Sequence, residues 1–257
     1  MSEHYDYDVV IIGAGIGGLV CGCYLAKAGL KTLIVEKNAK PGGYCTSFSR
    51  QGYHFDACAH ALGSLRPGGR LDSLFNDLGL YERLNIVRKD PSDIIFTPSH
   101  KICIYKSIQK TIKEFQQAFP KEKKQIKKFI DFVTSDDLKT FMKYRGETLQ
   151  ILLDDFLKDD KLKAIFSILI LGFAGCPPDK VSAVVSCLIF REFVFDGGYI
   201  PDRGMQALSD VLLARFLEFG GVSKMGKPAT EIIFKNGRVG GVVLKGGEKV
   251  FSNHVVS

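Results

Sequence analysis

Tryptophan is absent from this chain of 257 residues. That removes the best aromatic face for caging a cation, so a site built around an ammonium group is disfavoured. The seven cysteines (Cys21, Cys23, Cys45, Cys58, Cys103, Cys176 and Cys187) are odd in number and never form a Cys-x-x-Cys pair. This argues against a zinc or disulfide framework, and their mostly apolar neighbours predict reduced, buried thiols in a cytoplasmic protein. Long apolar runs are missing too: the longest, AIFSILILGFAGC from Ala164 to Cys176, is too short to span a bilayer. The opening MSEHYDYD lacks a cationic segment followed by an apolar run and does not read as a signal peptide. There is no internal repeat and no low-complexity segment.

The hydrophobic share, 46%, is enough to bury a sizeable core in one large domain or two small ones. Lys and Arg outnumber Asp and Glu by 35 to 28, giving a net charge of +7. Much of the excess sits in KSIQKTIKEFQQAFPKEKKQIKKF, where lysines alternate with apolar residues at helical spacing. The spacing predicts solvated helix faces, with a peripheral contact to an acidic membrane surface as the alternative. No basic patch is interleaved with aromatics, so nucleic acid is not an expected partner.

The order of patterns along the chain is more informative. Asp8 to Ile12 is a short β-branched run closed by glycine, and KTLIVE, Lys31 to Glu36, is a second. Between them Leu19, Cys23 and Ala26 recur at helical spacing and Gly29 marks the helix exit, which predicts a βαβ unit. After Gly69 come short amphipathic helices, a hairpin of DIIF and KICIY around TPSH, and the lysine-rich helices. A helix from Met205 buries Leu208, Leu212 and Phe216 and leads into three strands separated by NG and GG turns. The expected organisation is a nucleotide-binding domain over 1–68, an inserted, mainly helical substrate domain over 69–203, and a return to the first domain over 204–257. The final VVS ends inside an apolar strand, so the sequence is expected to be a piece of a longer chain, cut before the last strand of its domain.

Gly13-Ala14-Gly15-Ile16-Gly17-Gly18 follows the first strand and opens the first helix. In this pattern the first glycine makes the turn, the second lets backbone approach a pyrophosphate, and the third packs helix on strand. Glu36, at the end of the second strand, stands where a carboxylate would take a ribose hydroxyl and repel a 2′-phosphate. Strand, glycines, helix and acid together predict a Rossmann-type dinucleotide site. Spacing alone leaves NAD and FAD as alternatives.

Glu36-Lys37 followed by PGGYCTSF resembles the flavoprotein superfamily of amine oxidases and phytoene desaturases. The resemblance implies an FAD-binding fold of the glutathione-reductase type, with Lys37, Gly42, Gly43 and Thr46 wrapping the cofactor. GYHFDACAHALGS is closer to the retinol-saturase and carotenoid-isomerase branch, and GCPPDKVSAVVS and GGYIPDRGMQALSDVL keep the superfamily order. Two residues depart from the pattern: Arg203 replaces a glycine, and Ala229 takes the place of a valine whose backbone meets the adenine. The resemblance further implies a later Gly-Asp segment and the rest of a substrate domain beyond Ser257.

Flavin chemistry is carried by the cofactor, so a protein acid or base is helpful but not required. Asp56 and His60 are the candidate catalytic residues, His60 because imidazole changes charge near neutral pH. A turn-fixing Asp56 and a structural His60 are the alternatives. Cys58 has no cationic neighbour and is expected to be buried and inert. The apolar runs Ala164 to Phe173 and VVSCLIFREFVF would be core or, by the resemblance, line a cavity for a hydrophobic substrate. The expectation is an FAD-dependent oxidoreductase acting on carbon–carbon double bonds of a polyisoprenoid, with no metal. An amine or protoporphyrinogen oxidase and a non-catalytic prenyl-binding protein of the same fold are the alternatives.

Overall fold

A computed structural model describes residues 5–257. From the N-terminus the elements are β1 (Tyr7–Ile12), α1 (Ile16–Lys27), β2 (Thr32–Val35), β3 (Ser47–Arg50), β4 (Tyr53–Asp56), α2 (Arg70–Leu78) and β5 (Ile86–Arg88). Next come β6 (Asp93–Phe96), β7 (Lys101–Ile104), α3 (Ile108–Ala118), α4 (Lys123–Val133), α5 (Leu149–Phe156), α6 (Asp160–Ala174) and α7 (Ala183–Ile189). Then follow β8 (Tyr199–Pro201), α8 (Met205–Glu218), β9 (Val222–Lys224), β10 (Ala229–Lys235), β11 (Arg238–Leu244) and β12 (Lys249–Val256). They fall into two compact units: Met1–His60, Leu74–Ile86 and Pro201–Ser257 form the first, Ala61–Ser73 and Val87–Ile200 the second.

The first unit is built on a six-stranded sheet in the order β10-β11-β12-β1-β2-β9. β1 runs parallel to both β2 and β12, and β9 runs parallel to β2. Every residue of β2 is buried, as expected of a central parallel strand covered on both faces. Leu19, Cys23 and Ala26, the stripe read from the sequence, form the buried face of α1. At Gly22 a β-carbon would stand 2.8 Å from the terminal methyl of Ile34 and 3.2 Å from the Phe216 ring, so α1 packs closely on β2 and α8 there. Burial pushes the Cys23 thiol up to about 12, leaving it protonated and donating to the Leu212 carbonyl at 3.3 Å.

β10, β11 and β12 form an antiparallel meander. Asn236 and Gly237, at φ 51° and 77°, make the first of its tight turns, and Gly246 and Gly247 lie in the second. Positive φ at both central positions matches the right-handed twist of the flanking strands, which is why an NG pair sits there.

Residues 74–86 belong to this first unit rather than to the insertion in which the sequence reading placed them. Leu78, Leu80 and Leu84 are buried there, and Arg215 of α8 donates to the Leu78 carbonyl at 2.8 Å. Arg83 pairs with Glu218 at 2.8 Å, adding a second tie to α8. These bonds join segments more than a hundred residues apart, which local periodicity does not register.

The second unit holds one continuous apolar core from the β6–β7 hairpin to the π-helical turn Phe190–Val194 after α7. Phe115, Phe129, Phe166 and Phe190 meet ring to ring in it, with centroids 4.7 to 5.9 Å apart. The lysine-rich stretch forms α3 and α4, which bury Ile112, Phe115, Ile126 and Phe129 and leave Lys110, Lys113, Lys123, Lys124, Lys127 and Lys128 in solvent. The run in α6 divides: Ile165, Phe166 and Ile170 are core, while Ile168, Leu171 and Phe173 are about half exposed. Among the described residues no helix is long and apolar enough to cross a membrane.

Candidate dinucleotide site

The turn after β1 is held before any ligand arrives. Gly13 adopts φ 104° and donates to the Val35 carbonyl at 2.7 Å. Gly18 is a glycine for packing: a β-carbon there would lie 2.1 Å from the Gly13 carbonyl oxygen. Gly15 and Gly17 differ, since a β-carbon at either meets nothing within 4 Å. The protein leaves open space over these two residues at the start of α1. Gly15 caps the helix without any side-chain hydrogen bond, and the first turn holds no acidic residue. Its amides and the positive end of the helix dipole are therefore suited to an anion.

Glu36 completes the arrangement. It is 7% exposed, and one carboxylate oxygen accepts from the Ala14 amide at 2.8 Å while the other accepts from the Asn38 amide at 2.8 Å. An ionised carboxylate has about four acceptor positions. Two are used to fix its orientation and the remainder suit a vicinal diol. The Glu36 backbone bonds Lys224 and Lys227, bringing the segment before Ala229 to the same end of the sheet. Ala229 opens β10, paired with Leu244 of β11 and partly buried against the apolar cluster that Leu244 belongs to.

The second glycine pair lies directly on the first. Gly42 donates to the Ala14 carbonyl at 2.7 Å and bridges Gly15, and a β-carbon on Gly43 would lie 3.3 Å from Gly15 Cα. Lys37 is exposed beyond the strand end. Thr46 donates its hydroxyl to Gln206 at 2.7 Å. Gln206 escaped the sequence reading: its amide also donates to the Pro41 carbonyl at 3.1 Å, so one side chain of α8 clamps both ends of the 41–46 loop. Buried Ser209 adds a bond to the Cys45 carbonyl at 2.7 Å. A run of glutamine and serine on a helix carries no signal that would have marked either.

Asp56 and His60 have different surroundings. One Asp56 oxygen accepts from the Ser47 hydroxyl at 2.6 Å and from the Met205 amide at 2.9 Å. It thereby caps the first turn of α8, whose own cap residue is Gly204 at φ 80°. His60 is exposed, its Nδ1 3.4 Å from the Cys58 carbonyl. Cys58 is exposed, contrary to the burial expected, because it follows β4 in irregular backbone outside any alternating pattern. Among the described residues no cluster of His, Cys, Asp or Glu could hold a metal ion.

The capping geometry sets an expectation. Asp56→Ala should lower stability by about 1–2 kcal/mol, whereas Asp56→Asn, which keeps an acceptor oxygen, should lose less. Urea denaturation of the two variants checks this, and an Asp56→Ala midpoint equal to wild type would refute the cap.

Residues 11–78 match the NAD(P)-binding Rossmann-like domain. Over 279 residues the chain is 25% identical to all-trans-retinol 13,14-reductase of Danio rerio, covering 95% of this chain and 46% of that protein. It is 24% identical to prolycopene isomerase of Daucus carota over 286 residues, covering all of this chain and 46% of the relative. The chain thus spans about half the length of the curated relatives it matches. Among solved structures it resembles an oxidoreductase from Methanosarcina mazei, with TM-score 0.72, 22% identity, and coverage of 96% of this chain and 58% of that one. A putrescine oxidase (TM-score 0.69, 19% identity, 97% and 57% covered) and a Rab GDI from Plasmodium falciparum (0.67, 15%, 98% and 65%) share the fold as well. By sequence the chain is similar to retinol 13,14-reductase and prolycopene isomerase, and its fold is the Rossmann-type fold that those solved proteins share.

Proposed function

We propose that this chain is the dinucleotide-binding part of an FAD-dependent oxidoreductase acting on carbon–carbon double bonds of a polyisoprenoid. The observation that carries the reading is the pairing of an oriented, buried Glu36 carboxylate with open space above Gly15 and Gly17. The first-turn amides would hold a diphosphate, Glu36 the adenosine ribose, and the Gly42-Gly43 segment the approach of the nucleotide to the loop. The reading of FAD over NAD rests on this second glycine segment and on the kinship with retinol 13,14-reductase and prolycopene isomerase.

Bound flavin would supply hydride or single-electron transfer. The chain's own contribution is placement. Gln206, Ser209 and Asp56 tie the 41–47 segment to α8, so the loop facing the glycine turn is rigid before the cofactor binds. His60, four residues after Asp56, keeps an exposed ring.

The test is flavin uptake by the purified protein, followed by turnover of all-trans-retinol and prolycopene. Wild type should retain FAD in preference to NAD, and Gly15→Leu should weaken FAD by about 100-fold or more, because its side chain would fill the open space. Undiminished flavin in Gly15→Leu would overturn the cofactor site. A protein that takes up no flavin would instead be a binding module of this fold. Flavin-dependent oxidation of an amine, without action on either polyene, would overturn the substrate class.

A further inference from the structure

The second unit has a cleft of its own, between the β6–β7 hairpin and α6, with a volume of about 470 Å³. That lies within the ~300–1,000 Å³ typical of small-molecule sites. Its walls include Ile95, Phe96, Ala164, Ile165 and Ile168, and Phe96 and Ile168 are 71% and 57% exposed. Two large apolar side chains left in water on facing walls of one concavity indicate a surface meant to be covered. The hairpin turn that shapes the cleft is fixed from within: the Thr97 hydroxyl donates to the His100 carbonyl and accepts from the His100 amide, and the His100 ring stacks on buried Phe119 with centroids 4.6 Å apart.

Charge at this cleft has one sign to spare. Lys161 lines it and has no ion-pair partner among the described residues. On the same turn Lys163 is neutralised by Asp154 and Asp160 at 2.7 and 2.8 Å, and the Asp159 carboxylate is held by the Lys161 and Leu162 amides. The nearby carboxylates are therefore engaged, while the Lys161 ammonium is free.

We propose that this cleft binds a monomeric long-chain carboxylic acid, its tail against Phe96, Ile165 and Ile168 and its carboxylate on Lys161. Lys161 in the lining of a mainly apolar cavity, with Lys101 Nζ 5.5 Å from the centre of the Phe96 ring as a second cation, matches an anionic head on a greasy chain rather than a neutral hydrocarbon. This inference is independent of the oxidoreductase reading, since every lining residue lies in the second unit and no flavin takes part.

The test uses cis-parinaric acid, whose fluorescence rises on leaving water, and its methyl ester, with flavin absent. Wild type should bind the acid more tightly than the ester. Lys161→Gln should weaken the acid by about fivefold and leave the ester unchanged. Ile168→Glu, at an exposed position where folding is not at risk, should weaken both by about tenfold or more. No saturable binding by wild type, equal binding by both variants, or polyene uptake only through anionic phospholipid vesicles would each overturn the proposal.

Discussion

Gly18→Ala is expected to destabilise the first unit by about 3 kcal/mol or more, whereas Gly17→Ala, one residue earlier, should leave stability unchanged or raise it by up to about 1 kcal/mol. The difference comes from where each β-carbon points. At position 18 it would sit 2.1 Å from the Gly13 carbonyl oxygen and 3.3 Å from Ile11, against backbone that is itself bonded to β2. Relief requires moving α1 off the sheet, and the close contacts at Gly22 resist that movement. At position 17 nothing lies within 4 Å, so alanine gains only its better helix propensity. Added cofactor should raise the midpoint of Gly17→Ala less than that of wild type, because Gly17 borders the open space. Urea midpoints of the two variants decide the matter: equal midpoints would show that helix and strand are not locked at Gly18.

The second large effect is expected at Arg66. Its guanidinium donates to both oxygens of Glu192, at 2.9 and 3.0 Å, and to Asp196 at 2.9 Å, with Ser64 also bonding Glu192. Glu192 and Asp196 are 9% and 6% exposed, so removing this cation leaves two poorly solvated carboxylates with only Arg191 on Glu192 and, on Asp196, Arg88 at 3.9 Å and the Tyr199 hydroxyl at 2.9 Å. Because Arg191 and Arg88 remain beside the acids, Arg66→Met should cost about 2–3 kcal/mol, and lysine should rescue only partly because it cannot reproduce the fork. Burial alone would raise Glu192, but the hydrogen bonds from Arg66 and Ser64 outweigh it and hold the carboxyl at about 2, below its ordinary 4.5. Stability from this pair is therefore fully present above about pH 4.5 and is lost as pH falls toward 2. The gap between wild type and Arg66→Met in urea should be wide at neutral pH and narrow at pH ~3. A gap independent of pH would show that the variant acts through packing alone.

What could be read from the sequence was local. The βαβ unit, the buried stripe Leu19-Cys23-Ala26, the hairpin around TPSH and the NG turn each depend on residues a few positions apart, where period and turn chemistry are decisive. Glu36 was legible because the reach from glycine loop to strand end has a fixed length. The supports of the site were not. Gln206 to Thr46, Ser209 to Cys45 and Asp56 to Met205 each span about 150 residues or more, and each uses a polar side chain common on any surface. The Arg66–Glu192–Asp196 cluster escaped for the same reason, its acids lying in a stretch whose apolar neighbours dominate the pattern. Exposure of Ile168 and Cys58 likewise depends on which other segments come near, something no single stretch contains.

The pairing of β1 with β12 sets Tyr7 opposite Ser252. During synthesis β1 must wait, one edge unsatisfied, until β12 has been made, with all of the second unit made in between. Pairings this distant along the chain form slowly. The nascent glycine loop therefore spends that interval beside a half-made sheet, in a state open to chaperones and to mispairing with another nascent copy.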